Sequence, residues 1–179
     1  MNNRLVLLLA FGMLLFVNIG AAQEKHADPD GVNAVFQDPL LDQMVGTWTL
    51  TGTIMGQQTT HRVEADWMLN HQFLRVHESE VAPRKASNVP YEAMIFIGYD
   101  HAGNRYVVHW IDVFGGKFSE TLGYGKLDGN AIRFNFDYPD GGFHTNFFWA
   151  PQSKTWQWLM QTQGADKNWK EFANLTMSK

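Results

Sequence analysis

The sequence predicts an all-β protein, an antiparallel up-and-down β-barrel of about ten strands with a short N-terminal helix or cap. Three observations point there. From Val45 onward the chain is a succession of short runs rich in aromatic and β-branched residues. The breaks between the runs are brief and turn-like, such as Met55-Gly56, Asn70-His71, Asp128-Gly129 and Asp140-Gly141. Within the runs, large apolar side chains recur at every second position, which gives each strand a single apolar face.

In order, the expected strands are 47–54, 58–68, 72–81, 91–99, 105–113, 117–126, 131–138, 143–149, 155–162 and 169–177. Strands joined by such short turns can only be antiparallel. Ten of them in sequence order close most simply into a barrel, which leaves no exposed edge. The one longer connection, Ala82 to Pro90, contains two prolines and is expected as a flap at the rim. Asn33 to Met44 can hold a short helix, with Pro39 breaking it or starting a turn.

The first 22 residues read as a secretory signal peptide and not as fold. Arg4 supplies the positive start, Leu5 to Val17 is an apolar run, and Gly20-Ala21-Ala22 places small residues before a cleavage site at Gln23. The run has 13 residues, short of the roughly 20 that span a bilayer. The expected organisation is therefore a signal peptide at 1–22, a tail and cap at 23–44, and a barrel at 45–179. The expected location is the periplasm or the exterior. Without Arg4, 13 Lys and Arg face 18 Asp and Glu, a balance that argues against nucleic acid or an anionic membrane as partner. No cysteine is present, so stability must come from the core or from assembly.

Hairpin registers assign faces. Turns at Asp128-Gly129, Asp140-Gly141 and Gln152-Ser153 collect Ile132, Phe134, Phe136, Phe147, Trp149, Trp156 and Trp158 on one face. That face must be interior, because burying a large apolar side chain is worth roughly 1.5–3 kcal/mol. The same logic turns Trp48, Leu50, Val63, Ala65, Trp67, Leu74 and Val76 inward. It also carries inward His61, Glu78, Glu80, Asp112 and Thr121, with Tyr99, Tyr106 and Tyr138. Buried carboxylates are costly unless paired or wet, so these either sit at strand ends in solvent or face a hydrated cavity. On the outer wall, Met94, Phe96, Val107, His109, Ile111, Leu122 and Tyr124 form an apolar stripe. It is expected to be covered by the 33–44 segment or by a second copy of the chain.

Metal and nucleophilic chemistry find little support. Seven histidines are present, but none in His-x-His or His-Glu-x-x-His spacing. No cysteine, nucleophile elbow or phosphate-cradling glycine loop occurs. His77 is expected opposite Glu64 as a surface contact. His144 is expected opposite Asp137, which in turn faces Glu120, a trio that reads either as a small metal or acid/base site or, more often on an outer wall, as a solvated network. His61 alone is placed inside, opposite Leu50 and Glu80. It reads either as a satisfied histidine near the rim or as a group that orients a ligand, acts as a base, or ligates haem iron.

Three stretches resemble known families. The segment VGTWTLTG (45–52) resembles the Gly-x-Trp first strand of calycins (lipocalins, fatty-acid-binding proteins and nitrobindins). The resemblance implies that Trp48 plugs the closed end of the barrel. The segments WMLNHQFLRV (67–76) and IFIGYDHAGNRYVVHWID (95–112) resemble the bacterial family called domain of unknown function fifteen-seventy-nine. There two glycines stand where this chain has Asn70-His71. The likeness covers about Leu41 to Met177 and implies the barrel without an activity. Nitrobindin-like barrels hold haem through a histidine on the last strand, and 169–177 has none, which leaves only His61 as a haem ligand.

The leading expectation is thus a binding protein and not an enzyme. Trp67, Trp110, Trp158, Phe134, Phe147 and Tyr106 are expected as walls around a small, partly apolar ligand, with His61, Glu80 and Asp112 fixing its polar groups. No arginine falls inside, which disfavours a fatty acid. An alternative is an enzyme using His61 with Glu80 or Asp112 as acid and base. A third is a filled barrel acting through its outer stripe, with Phe96, Val107, His109, Ile111, Leu122 and Tyr124 as a homodimer interface. Sedimentation at micromolar concentration checks the last expectation: a dimer is expected, and a clean monomer would remove it.

Overall fold

The computed structural model describes residues 35–81 and 89–179. The expected signal peptide, the tail as far as residue 34 and the centre of the 82–90 connection lie outside these residues. The described chain is a closed barrel of ten antiparallel strands in sequence order, with the first paired to the last. The strands are β1 (Gly46–Ile54), β2 (Gln57–Met68), β3 (Phe73–Glu80), β4 (Glu92–Asp100), β5 (Arg105–Asp112), β6 (Gly123–Asp128), β7 (Ala131–Tyr138), β8 (Gly141–Ala150), β9 (Thr155–Gln163) and β10 (Trp169–Ser178). Two single-turn helices, α1 (Pro39–Asp42) and α2 (Gly116–Ser119), complete it.

Turn chemistry sets the hairpins. Met55 and Gly56 both have positive φ, the conformation that a two-residue primed turn requires and that matches the twist of the flanking strands. The next turn is wider than Asn70-His71 alone: Leu69, Asn70 and His71 are all left-handed, and Gln72 N–H closes onto Met68 O at 3.1 Å. Where β1 meets β10, Gly52 has φ +147°, and a Cβ there would lie 2.2 Å from Asn174 O. The barrel seam closes at this point only because residue 52 has no side chain.

Alternation fills the interior as expected. Trp156, Trp158, Phe134, Phe136 and Phe147 are essentially inaccessible to solvent, beside Leu50, Leu74, Ile95, Ile97 and Ile132. One end is closed by the 35–44 segment. Asp38 caps α1, its Oδ1 accepting from Leu40 and Leu41 N–H at 2.9 Å each, and Pro39 occupies the first helical turn where its missing N–H is harmless. Leu41 and Met44 are buried, Trp48 Nε1 donates to Met44 O at 2.7 Å, and Lys179 Nζ lies over the Trp48 ring. Phe36 stacks on Tyr99 and meets Trp67 edge-on.

Several expectations are corrected. The described part of the 33–44 segment plugs the barrel end and does not cover the outer stripe, where Ile111, Leu122 and Tyr124 remain 40, 38 and 38 % exposed. The run 117–126 is not one strand. Gly115 at φ +81° and the flexible Gly116 turn the chain into α2, and β6 starts only at Gly123, so Thr121 is not an inward strand residue. Two turns are displaced by one position, to Gly129-Asn130 and Pro139-Asp140. Phe134 therefore opposes Thr145 and Phe147 opposes Ile132, a shift of two that preserves every face. His144 consequently opposes Asn135, with Asp137 opposite Gly142. The registers placing His61 opposite Leu50 and Glu80, His77 opposite Glu64, and Phe147 opposite Trp158 are as expected.

Within the packed core, Thr145 Oγ1 is fully buried and has no hydrogen-bond partner, as are the indole nitrogens of Trp156 and Trp158. Desolvating a hydroxyl without compensation costs on the order of 1–3 kcal/mol. Thr145→Val keeps the shape and removes the hydroxyl. It is expected to raise stability by about 1 kcal/mol, read as a higher urea midpoint at unchanged slope; a lower midpoint would show that the hydroxyl is used.

Candidate functional site

The end opposite the plug is open, and a cavity of about 490 Å³ lies inside it. It is formed by the ends of β1, β3, β5, β7 and β9, the starts of β8 and β10, and α2. Trp110, Phe136, Tyr138, Phe143, Met160 and Phe172 make the wall, with Phe114 and Phe118 at the rim. Phe172 reaches the cavity from a β-bulge, where the β9–β10 register slips between Glu171 and Ala173; bulges often re-aim side chains beside sites. Its ring packs on Phe143 at 5.3 Å, and its carbonyl accepts from Met55 N–H at 2.7 Å.

The polar side of the cavity is built from β2, β3, β4 and β5. Glu78 lines it and is 1 % exposed. Its Oε1 lies 2.5 Å from His61 Nδ1, which donates to it, while Oε2 has no hydrogen-bond partner. His61 is inaccessible and sits behind Glu78, its Nε2 2.6 Å from Thr59 Oγ1. Glu80 is engaged with the residue that leads into β4, its Oε2 accepting from Tyr91 N–H at 3.0 Å. Beyond it runs a second chain of bonds. Trp110 Nε1 donates to the Tyr91 hydroxyl at 3.0 Å, and the Asp112 carboxylate lies near enough to act on that phenol. Asp112 Oδ1 also accepts from Phe114 N–H at 2.9 Å.

Electrostatics follow from this enclosure. Burial pushes the Tyr91 phenol well above its usual range, and the Glu78 and Asp112 carboxylates push it further. Tyr91 therefore stays a donor at neutral pH. Burial also raises the Asp112 carboxyl, against the lowering effect of the Phe114 N–H and Tyr91 bonds. Tyr138 is raised by burial first and by Asp112 second.

The residues singled out from the sequence fall at three levels. Trp110 and Asp112 line the cavity, with His61 and Glu80 directly behind its polar side. Phe134, Phe147 and Trp158 fill the core beneath it, Trp158 meeting Trp110 edge-on at 6.3 Å. Trp67 and Tyr106 belong to the plugged end: Trp67 Nε1 donates to Asp42 Oδ1 at 2.8 Å, and the Tyr106 hydroxyl donates to Asp38. Sequence reasoning turned Glu78 inward but chose Glu80 for the ligand, and gave no role to Tyr91, Phe143 or Phe172. Alternation marks Glu78 and Glu80 equally, and only the strand ends distinguish them. The bulge that aims Phe172 has no sequence signal.

Haem does not fit this arrangement. Both nitrogens of His61 are bonded within the wall, and no histidine lines the cavity among the described residues. Nor do the described residues hold a group of three or more His, Cys, Asp or Glu side chains arranged for a metal ion. A depression of about 570 Å³ on the outer wall surrounds His144, which stacks on Trp169 at 3.5 Å. Burial lowers the His144 pKa, with Gln161 and Asp137 opposing.

The raised Asp112 pKa makes a signed prediction. Folding favours the protonated acid, so the cost of Asp112 is absent below the ordinary Asp range and appears as pH rises through the raised value. Asp112→Asn, whose Oδ1 can still accept from Phe114 N–H, is expected to melt higher than the parent at neutral pH. That advantage is expected to vanish toward about pH 3. Melting curves across that range check it, and a variant less stable at neutral pH would contradict it.

No curated protein matches this chain. A family model described as a protein of unknown function, DUF1579, matches residues 37–179, which is nearly all of the described plug and barrel. With its closed ten-stranded, calycin-like architecture, the chain belongs to the DUF1579 family.

Proposed function

We propose that this protein is an exported binding barrel that holds a small, partly apolar molecule in the cavity at its open end. The observation that carries the reading is Glu78. One oxygen of a buried carboxylate is fixed by His61, and the other has no partner at the wall of an aromatic cavity. Burying an unpaired carboxylate oxygen is expensive, and a donor on a bound ligand would offset that cost. Concave, mostly apolar sites with a few fixed polar groups are the usual form of small-molecule pockets. Export is supported by the charge, apolar run and small residues of segment 1–22.

An acid–base enzyme finds less support. His61 is enclosed, with both ring nitrogens engaged, and reaches the cavity only through Glu78. Its bond to Glu78 orients the carboxylate, as binding requires.

Native mass spectrometry of the protein purified from its natural source tests the proposal. Extra mass that leaves on denaturation is expected, together with quenching or enhancement of Trp110 fluorescence when it is restored. A bare polypeptide mass and a tryptophan signal unchanged by cell extract would overturn it.

A further inference from the structure

We propose that the ligand is an organic cation, an amine or ammonium group on an apolar body, seated with its nitrogen against Glu78. The inference rests on reading the cavity as a ligand site. It is carried by the chemistry of the lining. Among the described residues, Glu78, Asp112 and Asp140 line the cavity, and no Lys, Arg or His does. Asp140, at the rim, is paired with Lys117 Nζ at 2.9 Å. Glu78 and Asp112 are therefore the carboxylates available inside.

The two differ in what they offer. Asp112 is already hydrogen-bonded by Phe114 N–H. Glu78 keeps Oε2 unpartnered, in a side chain that is 1 % exposed and held in place through Oε1. An ammonium group brings several donors and a positive charge to that oxygen, and charge-assisted bonds of this kind are about twice as strong as neutral ones. A carboxylate ligand would meet two like charges in a poorly solvated space.

The rest of the lining suits a cation with an apolar body. The rings of Tyr91, Trp110, Tyr138, Phe143 and Phe172 surround the same space. Aromatic faces attract cations electrostatically, most strongly where water is excluded. Tyr91 and Trp110 are fixed by their mutual hydrogen bond, so the wall is preorganised.

The test is calorimetric titration with three ligands of one shape: phenylbutylamine, phenylbutanol and phenylbutyrate. For the wild-type protein at neutral pH, the amine is expected to bind about tenfold or more tighter than the alcohol, and the carboxylate weakest. Glu78→Gln, whose amide can still accept from His61, is expected to remove about tenfold from the amine and to leave the alcohol within about twofold. Asp112→Asn is expected to weaken the amine several-fold. This second variant and the wild-type ranking decide the matter if Glu78→Gln does not fold. Equal binding of amine and alcohol would overturn the cation and leave the binding barrel standing. Binding of none of the three would count against both.

Discussion

Closing ten strands on themselves imposes one condition on the whole chain: every second side chain is delivered to the interior, whether or not it is apolar. Most of the delivered residues here are large hydrocarbons that pack tightly. His61, Glu78 and Glu80 arrive by the same rule, from the facing ends of β2 and β3. They cannot be turned out without turning out Val63, Ala65, Val76 and Leu74 with them. The polar side of the cavity is thus bound to the register that builds the core. The short bond between His61 and Glu78 is what makes a fully enclosed imidazole compatible with that register.

The interior is divided along its axis. At one end the 35–44 segment, Trp48, Trp67 and Tyr106 fill the space and use polar atoms to lock the plug. Asp38 serves both the helix cap and the Tyr106 hydroxyl, and the His71 Nδ1–H donates to Phe36 O at 2.5 Å. In the middle, aromatic rings from β7, β8 and β9 meet edge to face. At the other end the rings line a space and do not fill it, because α2 and the β10 bulge hold Phe118 and Phe172 at its border. A small barrel can be filled or hollow, and this one is each in turn.

Much of this was legible in the sequence, and the reason is the period of two. Faces survive a register error of two residues, so Phe134 and Phe147 fall inside as expected although the pairing between β7 and β8 is shifted by two. Depth along the barrel is another matter. Trp67 and Trp110 both point inward, yet one is bonded to the plug and the other lines the cavity. That distinction depends on strand tilt and on which loop each strand end approaches, neither of which alternation encodes. The α2 turn was illegible for a further reason. Residues 117–126 alternate well enough for a strand, and only the flexibility of Gly115-Gly116 and the packing of Phe118 against Tyr138 favour the helical turn.

The seam between β1 and β10 has a consequence for how the chain acquires its structure. Leu50 is paired with Met177 and Thr49 with Ser178, so the first strand waits for the tenth before its second edge is satisfied. Until then a partly assembled sheet carries two open edges, the form in which β-proteins associate wrongly. Loop closure over so long a separation is slow, because its entropy must be lost before the seam bonds form. A chain with this topology gains from keeping β1 from pairing elsewhere until β10 is available.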